Sequence, residues 1–313
     1  MNKITVIGTG SVGSTIAYTL TVMGLASEIV MIDVNQEKAL GEALDIRQGV
    51  PFCNPATVYA GTYSDAKDSD IIIITCGVAR KPGQTRLDLA QTNVNILKSV
   101  SKEIVKYAPD AMYVIVSNPV DILTYVFTKT TGIPESHIIG SGTILDTARL
   151  RARIAEYYSV NQKNVHAYIL GEHGDSAFVP WSIANISNVP VDKYRSAVLN
   201  PAQYLDFNKD EVENYVRKSG GRVIQRKGAT FYAVSISVCH LCKCLLSGID
   251  TTLTVSSMLH GEYGIDDVCL SILNVIGKNG IHNKILLPLN DEEVKALHNS
   301  AESLKAVIRN IEI

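Results

Sequence analysis

This sequence predicts a doubly wound parallel α/β sheet followed by an α+β half, and three observations point there. Over the first 140 residues, short β-branched runs alternate with helical patterns, which is how a parallel sheet with crossover helices is written. One run, Ile71-Ile72-Ile73-Ile74, is apolar without interruption, as a strand covered on both faces must be. Beyond Ser141 the helical patterns lengthen and the strand patterns lose their regularity.

Taken in order, strands are expected at Ile4–Ile7, Glu28–Ile32, Thr57–Ala60, Ile71–Thr75, Tyr113–Val116 and His137–Ile139. Leu87, Ala90, Val94, Leu97 and Ile104 recur at helical spacing after the fourth of these. Phe231 to Leu246 is apolar and helical in character. The last helix opens at Asn290, with Glu293 completing a capping box and Val294, Leu297, Ala301, Leu304 and Val307 on one face. No repeat, low-complexity segment or flexible linker interrupts the chain. We therefore expect one domain over residues 1–142 and a second over 143–313, meeting at a packed junction.

A chain of 313 residues is long enough for two such domains, and its 29 Lys+Arg against 31 Asp+Glu leave a net charge of −2. No basic stripe or like-charge run marks a nucleic-acid or anionic-membrane partner. Met1 to Ile7 passes directly into a strand pattern without a signal-peptide core, and no apolar run reaches the length of a membrane span. Six cysteines do not form a disulfide framework in a chain of this size, so a reducing cytoplasm is expected. Cys239-His240-Leu241-Cys242-Lys243-Cys244 is dense in metal-ligand types. It lies in an apolar helical stretch without a second ligand pair at zinc spacing, so structural thiols and no metal are expected.

Gly8-Thr9-Gly10-Ser11-Val12-Gly13 follows a strand and opens a helix. Glycines there permit the tight turn, the approach of backbone to a pyrophosphate and close helix–strand packing. Asp33 ends the second strand 20 residues past Gly13, placed to bind the adenine ribose hydroxyls and repel a 2′-phosphate. The pattern reads as a Rossmann site for NAD rather than NADP. The plainer alternative is a tight turn beside an ordinary strand-end Asp. Thr75-Cys76-Gly77-Val78 ends a later strand on the same sheet edge.

The chemistry gathers in two polar runs, Asp146-Thr147-Ala148-Arg149 and Gly171-Glu172-His173-Gly174-Asp175, with Asp146 and His173 27 residues apart. Together they supply a histidine in a tight loop, a carboxylate to orient it and a guanidinium suited to a substrate carboxylate. Arg80 and Arg86 flank Pro82-Gly83 in a polar loop able to close over an anion, although any one arginine is most simply a solvated charge.

With Ala79 to Arg86, Ser117-Asn118-Pro119-Val120-Asp121 and the motifs above, the chain resembles the lactate/malate dehydrogenase family nearly end to end. The resemblance implies that His173 exchanges the hydroxyl proton of a small 2-hydroxy acid while hydride moves to NAD. It further implies that Asp146 orients His173, Arg149 grips the carboxylate, and Arg86 polarises the reacting C–O bond. Asn118 should contact substrate and cofactor, unless it is simply a turn residue before Pro119. Further cofactor contacts are implied at Val12, Lys38, Tyr63, Gly77, Val78 and Ser141.

Arg80 is the residue that malate enzymes carry to pair a second carboxylate. Ser176 to Trp181, and Thr230 lining the side-chain pocket, look like the family's bacterial lactate branch instead. We expect (S)-lactate and pyruvate, with malate as the alternative and a non-catalytic NAD-binding sensor as a reading of another class. Arg151 and His166 match positions where bacterial members bind fructose 1,6-bisphosphate between subunits, or are a surface Arg and a strand His. A homodimer or homotetramer is implied.

Overall fold

The computed structural model describes residues 2–78, 86–204 and 206–313, with Arg86 described in its backbone alone. In the first half, strands β1 (Lys3–Ile7), β2 (Glu28–Ile32), β3 (Thr57–Ala60), β4 (Ile71–Ile74), β5 (Met112–Ile115) and β6 (Ile138–Gly140) pair in parallel. Helices α1 (Ser11–Met23), α2 (Gln36–Gly49), α3 (Arg86–Tyr107) and α4 (Val120–Thr131) lie between them. The strands fall where the apolar runs place them, with ends differing by a residue.

Helix α5 (Ile144–Tyr158) opens the second half. A small sheet follows, of β7 (Val165–His166), β8 (Asn185–Ile186) and β9 (Val189–Pro190), and then α6 (Val191–Ala197), α7 (Lys209–Lys227) and α8 (Tyr232–Leu245). Next come β10 (Thr251–His260), β11 (Asp266–Gly277) and β12 (Gly280–Ile285), and finally α9 (Asp291–Ile308) with its Asn290–Glu293 capping box.

Nine of these strands form one sheet in the order β12-β11-β10-β6-β5-β4-β1-β2-β3. The parallel order reverses between β1 and β4, and an open α/β sheet binds its ligand in the crevice at such a reversal. The antiparallel β10 attaches to the parallel part through Ser256 opposite Gly140, so the sheet runs unbroken from one half of the chain to the other.

The 10-residue β10 and 12-residue β11 are longer and more regular than the less regular strands expected after Ser141. Both are buried on both faces along most of their length, so they lack the alternation that marks a half-exposed strand. Their apolar runs are also broken by buried polar residues. Asn274 satisfies itself internally, donating to Val255 and Ile272 carbonyls and accepting from Ser257.

Cys239 and Cys242 pack with Ile16 and Leu20 where α8 meets α1, and burial pushes the Cys239 thiol up to about 12. They act as small apolar groups. No helix among the described residues is long and apolar enough to cross a membrane.

Candidate active site

The turn after β1 is shaped by exclusion. Gly8 has φ +96°, and a Cβ there would lie 2.7 Å from the Cys76 nitrogen. A Cβ on Gly13 would sit 1.8 Å from the Gly8 carbonyl oxygen. Gly10, at the N-cap of α1, has open space where its Cβ would be, which suits a ligand phosphate approaching the helix N-terminus.

Asp33 accepts the Thr9 N–H at 2.6 Å, the Thr9 hydroxyl at 3.1 Å and the Asn35 N–H at 2.9 Å. Burial works to raise its carboxyl, but these donors outweigh it and hold the group below its ordinary value. It stays anionic, as discrimination against a 2′-phosphate requires. Lys38 stands exposed on α2 and favours that charge; Tyr63 packs at the core margin beyond β3, its phenol raised chiefly by burial.

A cavity of about 520 Å³ continues from this edge toward the second half. Val12, Gly77, Val78, Asn118 and Ser141 line it from the nucleotide side, and Asp146, Arg149, His173 and Thr230 from the other. The sheet thus brings both predicted sets into one space, with Gly8, Gly10, Gly13, Asp33, Lys38 and Tyr63 outside the lining. Arg80 lies outside the described residues, as does the Arg86 side chain.

His173 Nδ1–H donates to Asp146 Oδ2 at 2.5 Å, which fixes the tautomer and leaves Nε2 to exchange a proton. Burial opposes charge on this ring, but the Asp146 carboxylate outweighs it by charge and hydrogen bond, with Asp121 assisting. The imidazole is held above its ordinary value. Burial likewise acts to raise Asp146, yet His173 and then Arg149 bring it below the usual carboxylate range. Arg149, one turn along α5, donates from its Nη1 to Asp146 Oδ1 at 3.0 Å.

The loop carrying His173 is pinned along its backbone. Gly171 exchanges two main-chain hydrogen bonds with Ser271 of β11, the Glu172 N–H donates to Ser300 of α9 at 2.7 Å, and the His173 N–H to Asp121 at 2.8 Å. Gly171 has φ +93°, and a Cβ there would meet the Ser300 hydroxyl at 2.7 Å.

Sequence reasoning missed Asn93. Buried on α3, it accepts the Val78 N–H at 2.8 Å and donates to the Val78 carbonyl at 3.2 Å and the Asn118 carbonyl at 2.7 Å. It therefore ties two cofactor-side loops together. Its only trace in the sequence is a polar residue interrupting the buried face of α3 beside Ala90, Val94 and Leu97. Asn93→Ala would orphan three main-chain groups, at about 1–3 kcal/mol for each buried one. We expect a lower unfolding midpoint and weaker NADH binding; wild-type values of both would exclude this bracing role. Glu213, Arg217 and Gly220 of α7 also line the cavity and were not foreseen.

Arg151 and His166 stand apart from the cavity lining. The Arg151 Nε donates to the Ala167 carbonyl at 3.0 Å and its guanidinium covers the Tyr168 ring, while His166 is exposed on β7.

A phosphate-ready turn, an anionic strand-end Asp and a His–Asp–Arg set around one cavity define an NAD-dependent dehydrogenase of 2-hydroxy acids. Residues 2–140 match the description "lactate/malate dehydrogenase, NAD binding domain", and residues 143–312 match its "alpha/beta C-terminal domain". The chain is 48% identical to L-lactate dehydrogenase of Thermoanaerobacter sp. (strain X514) over 313 residues, covering 100% of both. It is 45% identical to the Acetivibrio thermocellus enzyme of that name, covering 100% of this chain and 98% of the relative. The ligand-bound crystal structure of minor L-lactate dehydrogenase from Enterococcus mundtii superposes with a TM-score of 0.94 at 39% identity, over 100% of this chain and 99% of that one. The chain belongs to the lactate/malate dehydrogenase family.

Proposed function

We propose that this protein is an L-lactate dehydrogenase, interconverting (S)-lactate and pyruvate with NAD. The observation that carries the choice of acid is the 48% identity, over the full length of both chains, to a relative bearing that name. In this reading residues 1–142 hold the cofactor, and residues 143–313 supply the groups that act on the substrate. NAD, when bound, supplies the hydride acceptor or donor, held by the Gly8–Gly13 turn, Asp33 and the Gly77–Val78 segment. Arg149 pairs the substrate carboxylate and sets the molecule's orientation. His173 gives its Nε2 proton to the carbonyl oxygen in reduction and takes it from the hydroxyl in oxidation. Asp146 holds the ring and stabilises its protonated form, and Arg86 polarises the reacting C–O bond. Asn118 contacts substrate and cofactor, and Thr230 borders the methyl group.

NADH oxidation with pyruvate and with oxaloacetate tests the assignment. We expect kcat/KM to favour pyruvate; a preference for oxaloacetate would place the chain in the malate branch. In that event Arg80→Gln should cut discrimination against pyruvate by more than about 1–2 kcal/mol, since its partner would be a second carboxylate.

We further infer a reducing cytoplasm, a homodimer or homotetramer, and a phosphate-binding role for Arg151 and His166 between subunits. Sedimentation and activity with and without fructose 1,6-bisphosphate test the last two. An activity and assembly state indifferent to that ligand would remove the phosphate role.

A further inference from the structure

Asp121 takes no part in the chemistry above, yet its carboxylate touches the reactive loop. It lies in the first turn of α4, 2% exposed, and its Oδ2 accepts the His173 main-chain N–H at 2.8 Å. Its Oδ1 has no hydrogen-bond partner among the described residues. The same holds for the hydroxyls of Ser256 on β10 and Ser271 on β11, which oppose each other directly in the strand register. A buried carboxylate with an oxygen left unpartnered costs stability. Such a group is explained when its charge is used elsewhere.

The titratable groups that act on it come from three elements. The loop brings the His173 imidazole and Glu172, β11 brings Cys269, and β10 brings the Ser256 hydroxyl, near but outside hydrogen-bond geometry. Burial pushes the Asp121 carboxyl up to about 6, with Glu172 adding to the rise and Ser256, the His173 N–H and the imidazole opposing it. In return its charge favours the protonated His173 ring, beside the larger effect of Asp146. The two carboxylates divide the histidine between them, one holding the ring and the other the main chain.

We propose that Asp121 is a positioning residue for the proton transfer: its Oδ2 holds the His173 main chain, and its carboxylate charge favours the protonated imidazole until Asp121 itself takes up a proton. This rests on His173 being the acid–base group. Protonation of Asp121 therefore lowers the affinity of the catalytic ring for its own proton.

The test is an NMR titration of the His173 imidazole in the full-length protein without substrate, its signals assigned by their loss in His173→Gln. In Asp121→Asn, which keeps an oxygen for the His173 N–H but removes the charge, we expect the midpoint to fall by about half a unit or more. The alkaline limb of kcat/KM for pyruvate should move down with it, and Asp121→Glu should restore part of both shifts. The unfolding midpoint of Asp121→Asn at pH 7 should not fall, because a carboxyl raised by burial costs stability once pH exceeds its ordinary value. An unchanged His173 midpoint and limb in Asp121→Asn would overturn the proposal. Should that variant not fold, the wild-type titration decides. A second inflection near pH 6 in the His173 signal supports coupling, and a single inflection refutes it. A wild-type protein inactive on every 2-keto acid would remove the dehydrogenase reading while leaving the midpoint comparison intact.

Discussion

Exchange of His173 for glutamine is expected to lower kcat for pyruvate reduction by roughly 10²- to 10⁴-fold, the usual contribution of a positioned acid–base group. Glutamine fills similar space and can donate to Asp146, so NADH affinity should stay within about twofold and the loop should keep its Gly171, Glu172 and His173 main-chain anchors. The wild-type pH profile carries a companion expectation with a definite sign. Reduction consumes a proton from the charged imidazole, so its rate falls as pH rises through a value above the ordinary histidine range. Lactate oxidation needs the neutral ring and should rise through the same value. A reduction limb centred below ordinary histidine would show that burial, not Asp146, governs the ring. Near-wild-type turnover in the glutamine variant would remove His173 from the chemistry.

Replacement of Arg149 by glutamine should raise KM for pyruvate far more than it changes NADH binding. Loss of one member of a desolvated, charge-assisted pair costs about 2–5 kcal/mol, or roughly 30- to 5,000-fold in kcat/KM. A second effect separates this from simple loss of packing. The Arg149 charge acts against protonation of His173, so its removal should shift the alkaline limb upward. Steady-state kinetics across pH measures both. An unchanged KM with an unchanged limb would leave Arg149 only its bond to Asp146.

What could be read in the sequence differs by element, for physical reasons. The parallel strands were legible because Ile71–Ile74 and the β-branched runs around it must be covered on both faces by crossover helices. The β10–β11 hairpin was not, because Ser256, Ser257, Ser271 and Asn274 interrupt its apolar pattern while lying buried within it. His173, Asp146 and Arg149 announced themselves through residue types and local glycines. Asn93, Asp121 and Ser300 did not. Each is an ordinary helical residue whose importance comes from a main-chain group delivered by a distant segment, and spacing along the sequence carries no such information. Arg151 differs again: its phosphate role came from the resemblance, and the single chain shows its Nε donating to the Ala167 carbonyl and its guanidinium over the Tyr168 ring.

The unbroken sheet makes the nucleotide half a poor candidate for life on its own. A chain ended after residue 142 would strip β10 from β6 and bare the Ile138–Gly140 edge, an invitation to pair with another molecule. The splice point is no looser. Gly142 has φ +50°, and a Cβ there would lie 2.4 Å from the Ser271 hydroxyl and 2.6 Å from the Ser256 nitrogen. Grafting this half onto a foreign catalytic partner would therefore demand a matching strand and a matching glycine, so the two halves are one piece of architecture rather than exchangeable cassettes.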